Sequence, residues 1–120
     1  MLDPHGALIY TMVIVSAADR DMTDSELEII GDIVGHLPVF RAFDPKNLSQ
    51  VLEKCMQLLT REDALEEAFN EIKAALPTNL RETAYAIACD VAAADGEATQ
   101  EELRVLEMMR HRLNIDRLIA

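Results

Sequence analysis

Six acidic residues of this 120-residue chain fall into two sets, and residues of this type can bind a metal cation. In each set the second acid follows the first by two positions and the third follows the first by seven. Hard divalent cations bind carboxylate and carbonyl oxygens that converge on one point. The spacing therefore predicts a site for a divalent cation, calcium or a similar ion, on Asp19, Asp21, Glu26, Asp95, Glu97 and Glu102.

The second set resembles the latter half of a calcium-binding EF-hand loop, with glycine directly after the first acid and glutamate at its end. The positions of the two leading EF-hand acids hold Val91 and Ala93. A complete EF-hand is therefore excluded. A site at either turn has fewer protein ligands than an EF-hand, unless the two turns share one ion.

The same acidic turns also carry a purely structural interpretation. Thr23 with Glu26, and Thr99 with Glu102, form the Thr-x-x-Glu pattern of a capping box, which predicts the start of a helix. Acids in a first helical turn also interact favourably with the helix dipole. Because a capping glutamate binds the backbone at its own cap, capping competes with cation binding, and both interpretations stay open at this point.

The two acidic turns belong to an internal repeat. A displacement of 76 positions aligns residues 15–37 with residues 91–113 without a gap, and eight positions are identical. A duplicated helix–turn–helix predicts a pseudo-symmetric bundle in which the first pair of helices packs on the last pair. We expect both acidic turns on the surface of this bundle and near one another.

Signals for the start of a helix recur along the chain. Asp3-Pro4 and Asp44-Pro45 each combine an N-cap residue with proline at the first helical position. In the first helix Leu8, Met12 and Val15 predict one apolar stripe. Four glycines and four prolines are too few for an all-β domain with many turns.

These signals predict an all-α bundle of about six to seven helices with a pseudo-two-fold axis. We expect residues 1–120 to form a single domain. Its repeated halves lie approximately at 5–37 and 80–113, and helices within 45–76 join them.

Charge and composition restrict the partners. The chain has 22 acids and 11 bases, a net charge of −11, so a phosphate backbone is repelled and no nucleic-acid partner is expected. The longest apolar stretch, residues 7–15, is too short for membrane insertion. Cys55 and Cys89 lack the C-x-x-C spacing, which favours free thiols in a reducing, cytoplasmic compartment. Protein partners with basic patches fit this charge.

Two other classes of function are alternatives to cation binding. Glu107 and His111 lie four positions apart, and this pair occurs once, whereas di-iron bundles need Glu-x-x-His on two helices. The sequence also has neither a nucleophile elbow nor a phosphate-binding glycine loop. No enzyme is therefore expected. The second rival is a protein–protein adaptor without metal. A homodimer through Val39, Phe40 and Phe43 is a further alternative, unless these residues plug the end of the bundle.

The residues around both turns carry a family resemblance. The second turn, with the pattern Ala-Ala-Asp-Gly-Glu-x-Thr-x-x-Glu-Leu over residues 93–103, and its echo at 17–27 resemble the tellurite-resistance TerB family. The resemblance extends from about residue 5 to 115, although Arg20 stands where the family often has glycine. It implies an all-α domain whose duplicated acidic turns bind metal. It also implies action beside membrane and calcium-binding partners in stress responses.

Overall fold

The computed structural model describes residues 2–18, 23–61, 63–94 and 98–115, and in these ranges the chain forms six α-helices and no strand. The prediction of an all-α bundle is confirmed. Short 3-10 turns follow the second helix and precede the third and fifth. The helices are α1 (Pro4–Ser16), α2 (Asp24–His36), α3 (Leu48–Leu58), α4 (Ala64–Ala75), α5 (Arg81–Ala92) and α6 (Gln100–Arg112).

Helix α1 lies at the centre of the bundle and contacts all five other helices. It begins where the Gly6 amide donates to Oδ1 of Asp3 at 2.7 Å, with Pro4 at the first helical position. Every residue from Gly6 to Ser16 is buried, so the apolar face is not limited to the expected stripe. A helix that is apolar all round is one that other helices surround.

Helices α2 and α6 are the repeated elements that follow the two acidic turns. Both contain 13 residues, both begin with a capping box, and their first residues, Asp24 and Gln100, lie 76 positions apart. The helices therefore start at equivalent positions of the repeat. The division of the domain into halves at 5–37 and 80–113 remains a prediction.

An aromatic cluster closes one end of the bundle. Phe40 is 2% exposed, and the rings of His5 and Phe43 lie 5.6 and 6.0 Å from its ring. His5 Nε2 also hydrogen-bonds the carbonyl of Val39 at 2.8 Å. This packing favours the end-plug interpretation of Phe40, and it leaves less apolar surface there for a homodimer.

The C-terminal end of α6 is fixed on the bundle by two kinds of contact. Arg112 Nη1 donates to Oε2 of Glu66 on α4 at 2.8 Å. Asn114 then adopts a left-handed conformation with φ of 56°, and the amide of the buried Ile115 donates to the carbonyl of Arg110 at 2.9 Å. This hydrogen bond and the left-handed residue form a Schellman-type C-cap. None of the helices in the described ranges is long and apolar enough to cross a membrane.

Candidate cation-binding site

Both predicted capping boxes are present in the structure. At α2 the Glu26 amide donates to Thr23 Oγ1 at 3.1 Å, and Oε1 of Glu26 accepts from the Thr23 amide at 3.0 Å. At α6 the corresponding distances between Thr99 and Glu102 are 3.1 and 2.9 Å. Each box satisfies two amides that the first turn of a helix leaves without a partner.

The two capping glutamates are buried and meet each other. Glu26 and Glu102 are each 2% exposed, and Glu26 lies close enough to raise the pKa of the Glu102 carboxyl. The cap uses Oε1 of Glu102, whereas its Oε2 is buried and has no hydrogen-bond donor among the described residues. Two carboxylates so placed repel each other unless a proton or a cation lies between them.

The electrostatics of Glu102 follow from this arrangement. Burial raises its pKa to about 7, and the contact with Glu26 adds to this effect. The hydrogen bonds that it accepts from Thr99 act in the opposite direction, because they stabilise the ionised form. At neutral pH the Glu102 carboxyl is therefore protonated in part of the molecules.

The other four predicted ligands, Asp19, Asp21, Asp95 and Glu97, lie outside the described residues. Among the residues that are described, no three histidine, cysteine or acidic side chains gather in a manner that could hold a metal. The described part of the candidate site is thus the pair Glu26 and Glu102. A full coordination shell requires the turn residues that precede Thr23 and Thr99 in sequence.

Other candidates from the sequence analysis lie on the surface. Glu107 and His111 are both exposed, with Oε1 of Glu107 and Nε2 of His111 3.3 Å apart. Arg110 also contacts this carboxylate at 2.5 Å, so an arginine occupies the place beside Glu107 where a metal would lie. The acid Asp90 on α5 is exposed as well.

Sequence reasoning identified Glu26 and Glu102 as candidates but not their burial or their mutual contact. We expected the acidic turns on the surface, whereas the described glutamates of these turns are buried. The signal that could have indicated the contact is the repeat itself. Residues at equivalent positions of a pseudo-two-fold bundle lie close together when they are near its axis.

Comparison with known proteins agrees with the fold and the turns. A family model described as "Tellurite resistance protein TerB" matches residues 5–118, nearly the whole chain. No curated protein and no solved structure gave a match. The class defined by the fold and the two capping boxes is the TerB-like helical domain, which is associated with tellurite resistance and is not a known enzyme family. The chain belongs to the TerB family.

Proposed function

We propose that this TerB domain binds a divalent cation, calcium or a similar ion, between its two acidic turns and acts without catalysis in a stress response such as tellurite resistance. The observation that supports this proposal best is the buried Oε2 of Glu102, which has no donor among the described residues and belongs to a carboxyl whose pKa the nearby Glu26 raises. A buried acceptor of this kind is destabilising unless it is paired.

The chemistry of the pair suits a hard cation. In both glutamates Oε1 accepts the capping hydrogen bonds, so capping leaves Oε2 of Glu102 available as a ligand. Calcium takes roughly six to eight oxygen ligands, more than two glutamates supply. We propose that Asp19, Asp21, Asp95 and Glu97 supply the remainder, with the two turns sharing one ion.

A shared ion would have a structural effect on the bundle. It would hold the first turns of α2 and α6 together, because each turn contributes one glutamate. Removal of the ion would leave the pair dependent on a proton. Cys55 and Cys89 are both free cysteines, which supports the cytoplasm as the compartment of this function.

Calorimetric titration of calcium, magnesium and zinc into metal-free protein at pH 7.5 tests the proposal. We expect saturable binding of at least one ion, and its loss in Glu102→Gln and in the double variant Asp95→Asn/Glu97→Gln. The double variant Asp19→Asn/Asp21→Asn tests the first turn in the same way. Glu28→Gln on α2 and Asp90→Asn on α5 are matched controls, since both residues are exposed acids away from the pair.

Absence of binding heat for all three ions, with unchanged circular dichroism, would refute the cation site. Binding that the controls reduce as much as the site variants would show general attraction to a chain with net charge −11. In the absence of a cation site the second candidate, a protein–protein adaptor without metal, becomes the better description. The apolar groove described below favours that candidate independently.

A further inference from the structure

An apolar groove of about 490 Å³ opens on the bundle beside the C-terminal end of α1. Its lining includes Ile14 of α1, Ala18, Met56 of α3, Leu65 of α4 and Val105 of α6. Alanines among the lining residues fill little space, so the neighbouring helices leave a depression there. The groove has the size of a ligand pocket and is lined mainly by apolar side chains.

Met56 is the most exposed apolar side chain that lines the groove. It is 43% exposed, although it lies on α3 beside buried core residues. Methionine has an unbranched, flexible side chain that adapts to different apolar surfaces, and it is frequent at sites that bind helices. Met56 is therefore suited to contact an apolar group of a binding partner.

Three exposed acids lie within four positions of lining residues in sequence, and we call them the rim acids. Glu53 lies one turn before Met56 on α3, Glu101 lies one turn before Val105 on α6, and Asp63 directly precedes α4. All three are exposed. In helices, side chains three or four positions apart lie on the same face, so Glu53 and Glu101 flank the apolar lining.

Among the described residues, the bases near the groove are largely engaged elsewhere. Arg61 pairs with Glu67 at 3.1 Å, and Arg112 pairs with Glu66. Lys54 lines a separate depression beside Tyr10, on another side of α3. Arg104 is the exposed base next to Val105 in sequence, and the three rim acids outnumber it.

We propose that this groove docks a basic amphipathic helix of a partner protein. Apolar side chains at positions i, i+3 or i+4, and i+7 of the partner enter the groove beside Met56. Lysines and arginines on its flanks then face Glu53, Asp63 and Glu101. This is the helix-in-groove mode of recognition, with charge complementarity at the rim. The proposal does not depend on cation binding at the two turns.

Charge selects this occupant over two others. A second copy of the chain also carries a net charge of −11, so its acidic rim would meet the same acidic rim. A nucleic acid is repelled for the same reason. A basic helix gains both from burial of apolar surface and from the field around the groove.

Fluorescence anisotropy with a labelled synthetic peptide tests the proposal on the intact chain. The probe is a helix of about five turns, roughly 18 residues, with leucines on one face and lysines and arginines on the other. Its controls are a peptide of the same composition with the leucines dispersed around the helix, and an amphipathic peptide with glutamates in place of the bases. We expect saturable binding of the basic amphipathic peptide, weaker at high salt, and much weaker binding of both controls.

Matched variants locate the site. Met56→Gln is expected to raise the dissociation constant about tenfold, as for an interface anchor. Leu103→Gln, at a residue that is 55% exposed and lies outside the groove lining, is expected to leave it unchanged. Glu53→Gln should raise the dissociation constant roughly two- to fivefold, whereas Glu28→Gln on α2 should have little effect.

Three results would overturn the proposal. Equal binding of the dispersed peptide would show unspecific attraction to an acidic chain. An unchanged dissociation constant in Met56→Gln would place the peptide elsewhere. Concentration-dependent dimerisation in analytical ultracentrifugation that Met56→Gln abolishes would identify a second copy as the occupant.

Discussion

The contact between Glu26 and Glu102 predicts that removal of one charge stabilises this protein at high pH. Glu102→Gln is the informative change, because glutamine can still accept the hydrogen bond from the Thr99 amide and keep the capping box. Its side-chain amide is uncharged and can also donate to the nearby carboxylate of Glu26. The variant therefore removes the repulsion and retains the cap.

The magnitude follows from the pKa of Glu102. Burial and the Glu26 contact raise this pKa from 4.5 to about 7, a difference that corresponds to roughly 3 kcal/mol. Because the folded state binds the proton more tightly than the unfolded state, the stabilisation is fully present below pH 4.5 and is lost as pH rises through about 7. At pH 8 we expect Glu102→Gln to be more stable than the wild type by about 2–3 kcal/mol.

Urea denaturation followed by circular dichroism, at several pH values from 5 to 8 with EDTA present, measures this effect. The difference in free energy of unfolding between Glu102→Gln and the wild type should grow with pH. The surface variant Glu28→Gln should follow the wild-type pH dependence. If the difference in free energy of unfolding is constant across this range, or if the variant is less stable at pH 8, Glu26 and Glu102 do not repel each other in the folded protein and the reasoning is refuted. Calcium at pH 8 should stabilise the wild type and not Glu102→Gln.

Three further predictions concern other parts of the chain. Thr23→Ala and Thr99→Ala should each lower the free energy of unfolding by about 1 kcal/mol in urea denaturation, because each removes the side-chain acceptor of a capping box; values near zero would show that the caps contribute little. Asn114→Gly should raise the melting temperature slightly. Glycine adopts the left-handed conformation at an energetic cost that is lower by a few tenths of a kcal/mol to about 1 kcal/mol. A lower melting temperature would contradict this. Burial raises the pKa of Cys55 to about 12 and also raises the pKa of Cys89. In the folded protein at pH 8, Cys55 should therefore resist iodoacetamide and Cys89 should react slowly. Rapid modification of Cys55 detected by mass spectrometry would show that its burial is transient.

The sequence analysis located the local features of this domain correctly. The capping boxes at Thr23 and Thr99 are formed within a few residues of chain, so short patterns predict them well. The helical class and the TerB resemblance were also recognised from patterns of this length, and both are confirmed.

The tertiary structure decided which of these features are buried and which of them meet. Periodicity in α1 indicated one apolar stripe, but five other helices surround it, and their positions depend on contacts between distant parts of the chain. Glu26 and Glu102 each form a local cap, and no local signal distinguishes an exposed cap from a buried one. Their interaction joins residues 76 positions apart, and it depends on how α2 and α6 are placed around α1 and α5, which both of them contact. The charge pattern was thus readable in the sequence, whereas the burial that raises the pKa of Glu102 came only from packing.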